Sequence, residues 1–193
     1  TASDARLQGF ELRLDGARIA GSAALVGGLR PRLALSASAD RLDLGLYRPR
    51  AGAPGGGWLR DRLLGFDAAV DLSADRISLG PVRAGGAYLR ASLEQGLVRL
   101  AELSVRDLGE ARLRLSGTGD LPVESFQLAG ELEAERPARL LRALGLEPPP
   151  TLARLPAVRI AGTARGGHDA TEVGLSLAAA GAKGRLEASL GPW

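Results

Sequence analysis

Residues 69–83 read AVDLSADRISLGPVR, and residues 34–48 read ALSASADRLDLGLYR. Both contain Ser-Ala-Asp-Arg, an aliphatic residue, any residue, Leu and Gly, so this block recurs after 35 positions. Apolar and polar side chains alternate in both copies, which is typical of half-buried β-strands. The repeat predicts units that bury their apolar faces by stacking on one another, although a chain rich in Ala, Leu, Gly and Arg can also produce such matches by chance.

The same alternation recurs along the chain, with glycines and Asp-containing turns about every eight to twelve residues. Leu, Ala and Arg favour helices, and Val, Ile and Thr together number only 16. The frequent turn residues would break helices, so we give the alternation more weight than the propensities. The sequence predicts a mainly β protein built as an elongated antiparallel meander, with alternating runs at residues 10–15, 33–39, 66–72, 126–134, 158–164 and 173–179.

Three segments depart from this pattern. Residues 95–109 also fit a helical stripe, and we predict a strand there. Residues 58–64 and 137–146 are predicted to be short helices. The second of these begins with Pro137 in its first turn, places Ala138, Leu141 and Leu144 on one stripe, and ends at Gly145.

A second repeated element consists of an apolar residue, a small residue, Gly, and Ser or Thr, at residues 19–22, 115–118 and 160–163. Small residues on the apolar side of the alternation would let a sheet curve and leave room for a bound guest. They would equally allow close packing against another layer. The residues in question are Gly21, Ala23, Ala37, Gly130, Gly162 and Ala179.

The domain organisation follows from these elements. We predict a single elongated domain, or a fragment of a longer chain, in five parts. They are a strand repeat (1–50), a Gly- and Pro-rich linker with a short helix (51–65), a β-meander (66–136), a short helix with a Pro-rich loop (137–150) and terminal strands (151–193). Both ends resemble cuts in a longer protein, so we expect targeting information and any membrane anchor outside these residues.

Composition excludes several classes of site. The chain has no cysteine, which excludes disulfides, thiolate metal sites and a cysteine nucleophile. Its single histidine, His168, follows two glycines and is predicted to lie in a turn rather than in a catalytic or metal site. One face of a predicted strand carries three glutamates, Glu131, Glu133 and Glu135. Exposure of that face to solvent explains them better than a role in acid–base catalysis. We expect no catalytic residues, metal or cofactor, and therefore not an enzyme.

Charge argues against a nucleic-acid partner. The net charge is +3, and the basic residues are 24 Arg and one Lys that alternate with acidic residues along the chain. Nucleic-acid binders usually cluster basic residues on one face and add stacking aromatics, whereas the seven aromatic residues here are scattered. No run approaches the roughly 18 consecutive apolar residues of a membrane-spanning helix.

In the order and spacing of these motifs the sequence resembles the AsmA-like family of bacterial envelope proteins. The resemblance covers nearly the whole chain, although each motif alone is degenerate. It runs through an apolar-x-Gly-Ser strand, DRLDL at residues 40–44 and a Gly- and Pro-rich break. It continues through VDLSADRISL at residues 70–79 and the run at residues 111–117 to the helix near residue 140.

The resemblance implies a curved, groove-like or taco-like β-sheet with an apolar concave face. It further implies a periplasmic location, with attachment to the inner membrane through a segment not present here, and a role in outer-membrane biogenesis and phospholipid transport. The first hypothesis is therefore a non-enzymatic lipid-binding or lipid-transfer groove that takes a phospholipid or another acyl lipid. The alternative is a structural β-rich scaffold that binds an envelope protein, or the rest of the parent chain, through its sheet edges.

If the groove hypothesis holds, apolar residues on one side of the alternation should line it. The candidate ligand-binding residues are Leu12, Leu14, Leu35, Val70, Leu72, Leu113, Leu115, Phe126, Leu128, Ile160, Leu175 and Leu177.

Overall fold

The computed structural model describes residues 4–47, 63–150, 155–167, 170–179 and 181–191. These residues are mainly β and form one open, curved sheet of twelve strands, which confirms the predicted fold class. The strands are β1 (Ala5–Leu14), β2 (Ala17–Val26), β3 (Arg32–Ala39), β4 (Leu42–Asp43), β5 (Asp67–Leu79), β6 (Val82–Glu94), β7 (Leu97–Asp107), β8 (Ala111–Asp120), β9 (Ser125–Ala134), β10 (Val158–Gly166), β11 (Thr171–Ala179) and β12 (Ala182–Leu190). A short 3₁₀ turn (Leu44–Tyr47) follows β4, and helix α1 (Pro137–Ala143) lies between β9 and β10.

Neighbouring strands are antiparallel except at one junction. The order is β1-β2-β3-β5-β6-β7-β8-β9-β10-β11-β12, and β5 runs parallel to β3 and to the short β4 beside it. A parallel pair needs a long crossover, and residues 40–66 supply one. The prediction of a simple antiparallel meander is therefore wrong at this junction alone.

The 35-residue repeat lies side by side at the parallel junction. Ser38 pairs with Ser73 and Ala39 with Ala74, and beyond the turn Leu42 pairs with Ile77. In each of these pairs the two residues lie 35 positions apart in the sequence. The spacing of the repeat therefore equals the register of the two parallel strands. The repeat is thus a structural feature rather than a chance match.

Residues 97–107 form a strand, as predicted, and a bulge explains their helix-like spacing. The register of β7 against β8 shifts between Leu100 and Leu103. Leu103 and Val105 still face the same way as Val98 and Leu100, because their partners on β6 are successive residues of one face. One inserted residue turns a spacing of two into a spacing of three, which imitates a helical stripe.

Helix α1 begins at Pro137 as predicted but ends at Ala143, and Gly145 adopts a left-handed conformation (φ 76°) beyond it. It packs on the ends of β8 and β9, where Leu140 joins Ala111 and Ala134 in the buried cluster. The predicted stripe is wrong in two positions, since Ala138 and Leu140 are buried whereas Leu141 is half-buried and Leu144 is exposed. With only two turns, the helix contacts the sheet through its first turn. Residues 58–62 of the other predicted helix lie outside the described residues.

Asp67, at the start of β5, links the β2–β3 turn to the β6–β7 turn. Its buried carboxylate accepts hydrogen bonds from Arg30 Nε at 2.5 Å and from the Gln95 backbone N–H at 2.9 Å. Its own N–H donates to the Pro31 carbonyl at 2.9 Å. The Gln95 N–H first, and the Arg30 guanidinium second, hold the pKa of this carboxyl below its ordinary value.

We expect Asp67→Asn to lower the free energy of unfolding at pH 7 and to flatten its dependence on acid. A carboxyl whose pKa is lower in the folded state stabilises the fold above its unfolded pKa of about 3.9, and the stabilisation is lost as the pH falls through the folded pKa. Urea denaturation at neutral pH and at about pH 3 measures both effects. The control is Glu11→Gln, which removes the exposed Arg18–Glu11 pair and should change little. Equal acid sensitivity of wild type and Asp67→Asn would contradict this assignment.

Candidate functional site

One face of the sheet carries an unbroken apolar surface. Directly paired residues on neighbouring strands point to the same side of a sheet, so the strand registers define rows of side chains. We call the surface formed by four such rows the apolar face. The first row is Leu12, Ile19, Ala39, Ala74, Ala87, Val105, Leu113, Leu132, Ile160 and Leu177. The second is Phe10, Gly21, Ala37, Leu72, Leu89, Leu103, Leu115, Gly130, Gly162, Leu175 and Leu186. The third is Ala23, Leu35, Val70, Ala91, Leu100, Gly117, Leu128, Ala164, Val173 and Ala188, and the fourth is Leu25, Leu33, Ala68, Leu93, Val98, Gly119, Phe126 and Gly166.

Most of this face is left uncovered by the described residues. Leu12 is 42% exposed, Leu177 45% and Leu186 60%, and none of the large side chains in the described ranges is fully buried. The accessible surface of the chain is 13401 Å², whereas a compact protein of 20.0 kDa exposes roughly 8,700 Å². Among the described residues, helix α1 packs on it at the ends of β8 and β9. An exposed apolar face that continues across so many strands is typical of an interaction site.

All twelve residues predicted to bind ligand lie on the same side of the sheet as the apolar face. Eleven belong to the four rows, and Leu14 continues their side of β1 beyond Leu12. Alternation found them because the strands that carry them keep their side-chain phase over the segments in which these residues lie. Whether they touch a ligand stays a prediction.

The small residues of the repeated Gly-Ser/Thr element serve close packing. A Cβ added to Gly162 would lie 2.6 Å from Leu175 Cδ2, and one added to Gly117 would lie 2.7 Å from Leu128 Cδ2. At Gly21 an added Cβ would come within 2.8 Å of the Ala37 Cα. In each case the obstacle is the next strand along the sheet. These contacts are with the neighbouring strand of the same sheet, so the two predicted roles of the small residues, curvature with room for a guest and packing against another layer, stay predictions.

One of the cavities lies on the apolar face at a place that the sequence did not indicate. A cavity of about 460 Å³ opens on the apolar face across β6 to β9, and we call it the Phe126 cavity. Gly119 lies in its wall with space beside it, because an added Cβ would meet only Ser125 O at 3.6 Å and Val98 Cβ at 3.9 Å. Its apolar lining comes from Ala91, Val98, Leu100, Gly117, Gly119, Leu121, Phe126 and Leu128. Val98 and Leu100 were not predicted because the bulge in β7 interrupts the alternation of apolar and polar residues. Gly119 was not predicted because a single glycine in the sequence does not indicate that there is space beside it.

The opposite face of the sheet is polar and carries several ion pairs. Arg90 Nη2 lies 3.0 Å from Asp71 Oδ2, and the Tyr88 hydroxyl donates a hydrogen bond to the same oxygen at 2.9 Å. Burial first, and the bond to Asp71 second, raise the pKa of Tyr88. Arg165 binds Glu172 at 2.6 Å. These pairs are largely exposed, so they fix side-chain positions more than they stabilise the fold.

The three glutamates of β9 and its end belong to these ion pairs. Arg159 on β10 lies 2.9 Å from Glu131 and 3.4 Å from Glu133, and Arg112 lies 3.9 Å from Glu135. The hydrogen bond to Glu131 raises the pKa of Arg159. The glutamates thus form cross-strand ion pairs, as expected of a solvated face.

Other kinds of site were sought over the same part of the chain. Its Asp, Glu and His side chains do not converge in groups of three or more that could hold a metal ion. Its helices are all too short or too polar to cross a membrane. His168 lies outside the described residues.

Comparison of the chain with protein-family profiles, with curated proteins and with solved structures gives no match.

Proposed function

We propose that this chain is a non-enzymatic lipid-binding groove module of a periplasmic envelope protein related to the AsmA-like family. In this proposal it takes part in phospholipid transport and outer-membrane biogenesis, and the inner-membrane anchor belongs to another part of the protein. The observation that carries the proposal is the continuous apolar face, which spans the sheet and which the described residues leave uncovered over most of its area.

Acyl chains suit such a face physically. They need no directional hydrogen bonds, and the rows offer aliphatic side chains from strand to strand. Each buried methylene contributes about 0.8 kcal/mol, so ten of them contribute about 8 kcal/mol. Association costs about 4–15 kcal/mol, which a short single chain barely offsets and two long chains exceed. We therefore expect diacyl lipids to be retained and short fatty acids to be lost.

A scaffold role is the second candidate, because one sheet edge is well suited to pairing. Every residue of β12 is exposed, and β12 has a described neighbour on one side only. In this case an envelope protein, or further parent chain, would add a strand there.

Native mass spectrometry with lipid extraction, on the chain purified from a bacterial periplasm, separates the two candidates. The groove proposal expects co-purifying diacyl phospholipid at a defined stoichiometry. A folded, β-rich, lipid-free protein that still captures an envelope protein would favour the scaffold.

We expect Gly119→Leu to reduce the bound lipid per protein without lowering stability. The new side chain has space at its Cβ and would extend into the Phe126 cavity. Mass spectrometry reports the stoichiometry, and thermal unfolding reports the stability. The control is Gly174→Leu on the polar face, whose Cβ would also make only an ordinary contact, 3.5 Å from Thr163 Oγ1. Equal lipid loss in both variants would show that the cavity has no special part in binding.

A further inference from the structure

We propose that two copies of this chain pair through β12, antiparallel and in a two-fold register centred on Leu186, so that two sheets become one. The pairing depends on a sheet edge and not on lipid, and it therefore goes beyond the proposed function.

The two edges of the sheet differ in their readiness to pair. β1 is interrupted by a register shift between Leu7 and Phe10, with Gly9 at a φ of 63°, and such bulges protect an edge from pairing. β12 pairs with β11 over all nine of its residues without a shift. No strand of the described residues pairs with its other side, so its backbone groups form a regular row there, which is the template that an added strand requires.

Symmetry restricts the possible registers. In a two-fold antiparallel pair, the two-fold axis passes either through a residue or between two residues. Residues of the same face lie opposite one another only when the axis passes through a residue, which then lies opposite its own copy. Centring on Leu186 pairs Ala182 with Leu190 at the ends, so the whole strand takes part. Registers centred on Gly184, Arg185 or Glu187 leave part of β12 unpaired.

Charge favours this register over those centred on Gly184, Arg185 or Glu187. With Leu186 at the centre, Arg185 of each copy lies opposite Glu187 of the other. These two residues now pair within one strand at 2.7 Å, and both are largely exposed, so they can exchange partners without moving the backbone. Centring on Arg185 or Glu187 places that residue opposite itself, and centring on Gly184 places Lys183 opposite Arg185. Like charges directly opposite one another are unfavourable.

The apolar face would continue across the junction. Leu186 would meet Leu186 of the other copy, and Gly184 would meet Ala188, which gives each junction pair an apolar or small partner. Paired in this way, the apolar face runs unbroken through two chains.

Sedimentation velocity of the full chain over a wide range of concentration tests the proposal. We expect a reversible dimer. Arg185→Glu and Glu187→Arg should each raise its Kd by about tenfold or more, because both cross-strand pairs turn repulsive. The double variant, which restores opposite charges, should dimerise like wild type, and Arg6→Glu on β1 should have no effect. A monomer at every concentration, or a dimer indifferent to these changes, would overturn the proposal.

Cysteine substitution tests the register separately, on a chain that has no cysteine of its own. Under mild oxidation Leu186→Cys should give a disulfide-linked dimer, because the two copies of position 186 lie opposite one another. Ala188→Cys should give much less, since its copies are four positions apart. A crosslinking preference for position 188 would show a different interface. Dimerisation of the lipid-free protein would establish the pairing whether or not the groove binds lipid.

Discussion

The double variant Leu72→Asp/Leu115→Asp should lose its co-purifying lipid while keeping a folded β-sheet. Both leucines lie in the second row of the apolar face, Leu72 opposite Leu89 and Leu115 opposite Leu103. Both are half-buried, so an aspartate at either position can still reach water. A carboxylate packed against an acyl chain, by contrast, would have to lose its hydration. The free energy of that desolvation is far larger than the free energy gained by burying a methylene group.

The chain offers a matched control for this experiment. Ser73 follows Leu72 and Ser116 follows Leu115, so each serine lies on the same strand but on the polar face. Ser73→Asp/Ser116→Asp adds the same charge to the same strands and should leave lipid binding unchanged. Mass spectrometry of extracted lipid gives the stoichiometry, and circular dichroism gives the fold. Equal lipid loss in both double variants would contradict the groove proposal, as would full retention in the leucine variant. If the leucine variant fails to fold, Leu115→Gln gives the same comparison at lower cost to stability.

Much of the fold was predictable because alternation is a local property. Each strand shows its two faces in its own residues, and the twelve candidate residues were therefore placed on one face without any knowledge of pairing. The direction of pairing is different. The 35-residue repeat shows that two segments are equivalent, but only the crossover through residues 40–66 makes them parallel.

The properties that depend on register escaped prediction. The Arg159–Glu131 pair joins residues 28 positions apart, and nothing local to either residue identifies its partner. The Phe126 cavity has the same origin, since it needs Val98 and Phe126 to flank Gly119 from two neighbouring strands. A local pattern identifies a face, whereas a cavity depends on the pairing of several strands.

Gly117→Ala should destabilise the protein by about 1–3 kcal/mol, the usual cost of forcing an extra methyl group into a packed site. An added Cβ would overlap the Gln127 carbonyl oxygen and lie 3.0 Å from the Leu128 Cα. Backbone atoms cannot rotate away as a side chain can, so β8 and β9 would have to separate. Thermal or urea unfolding measures the loss.

Gly119→Ala is the matched comparison, two residues further along β8 and on the same face. Its Cβ would make only ordinary contacts, and its backbone does not adopt a positive φ. Removing a glycine where the fold accommodates a methyl group stabilises a protein by about 0.4–1 kcal/mol, because the unfolded chain loses freedom. The two substitutions should therefore have opposite signs, which differences in helix or strand propensity alone would not produce. Destabilisation of similar size in both would mean that β8 and β9 approach no more closely at Gly117 than at Gly119.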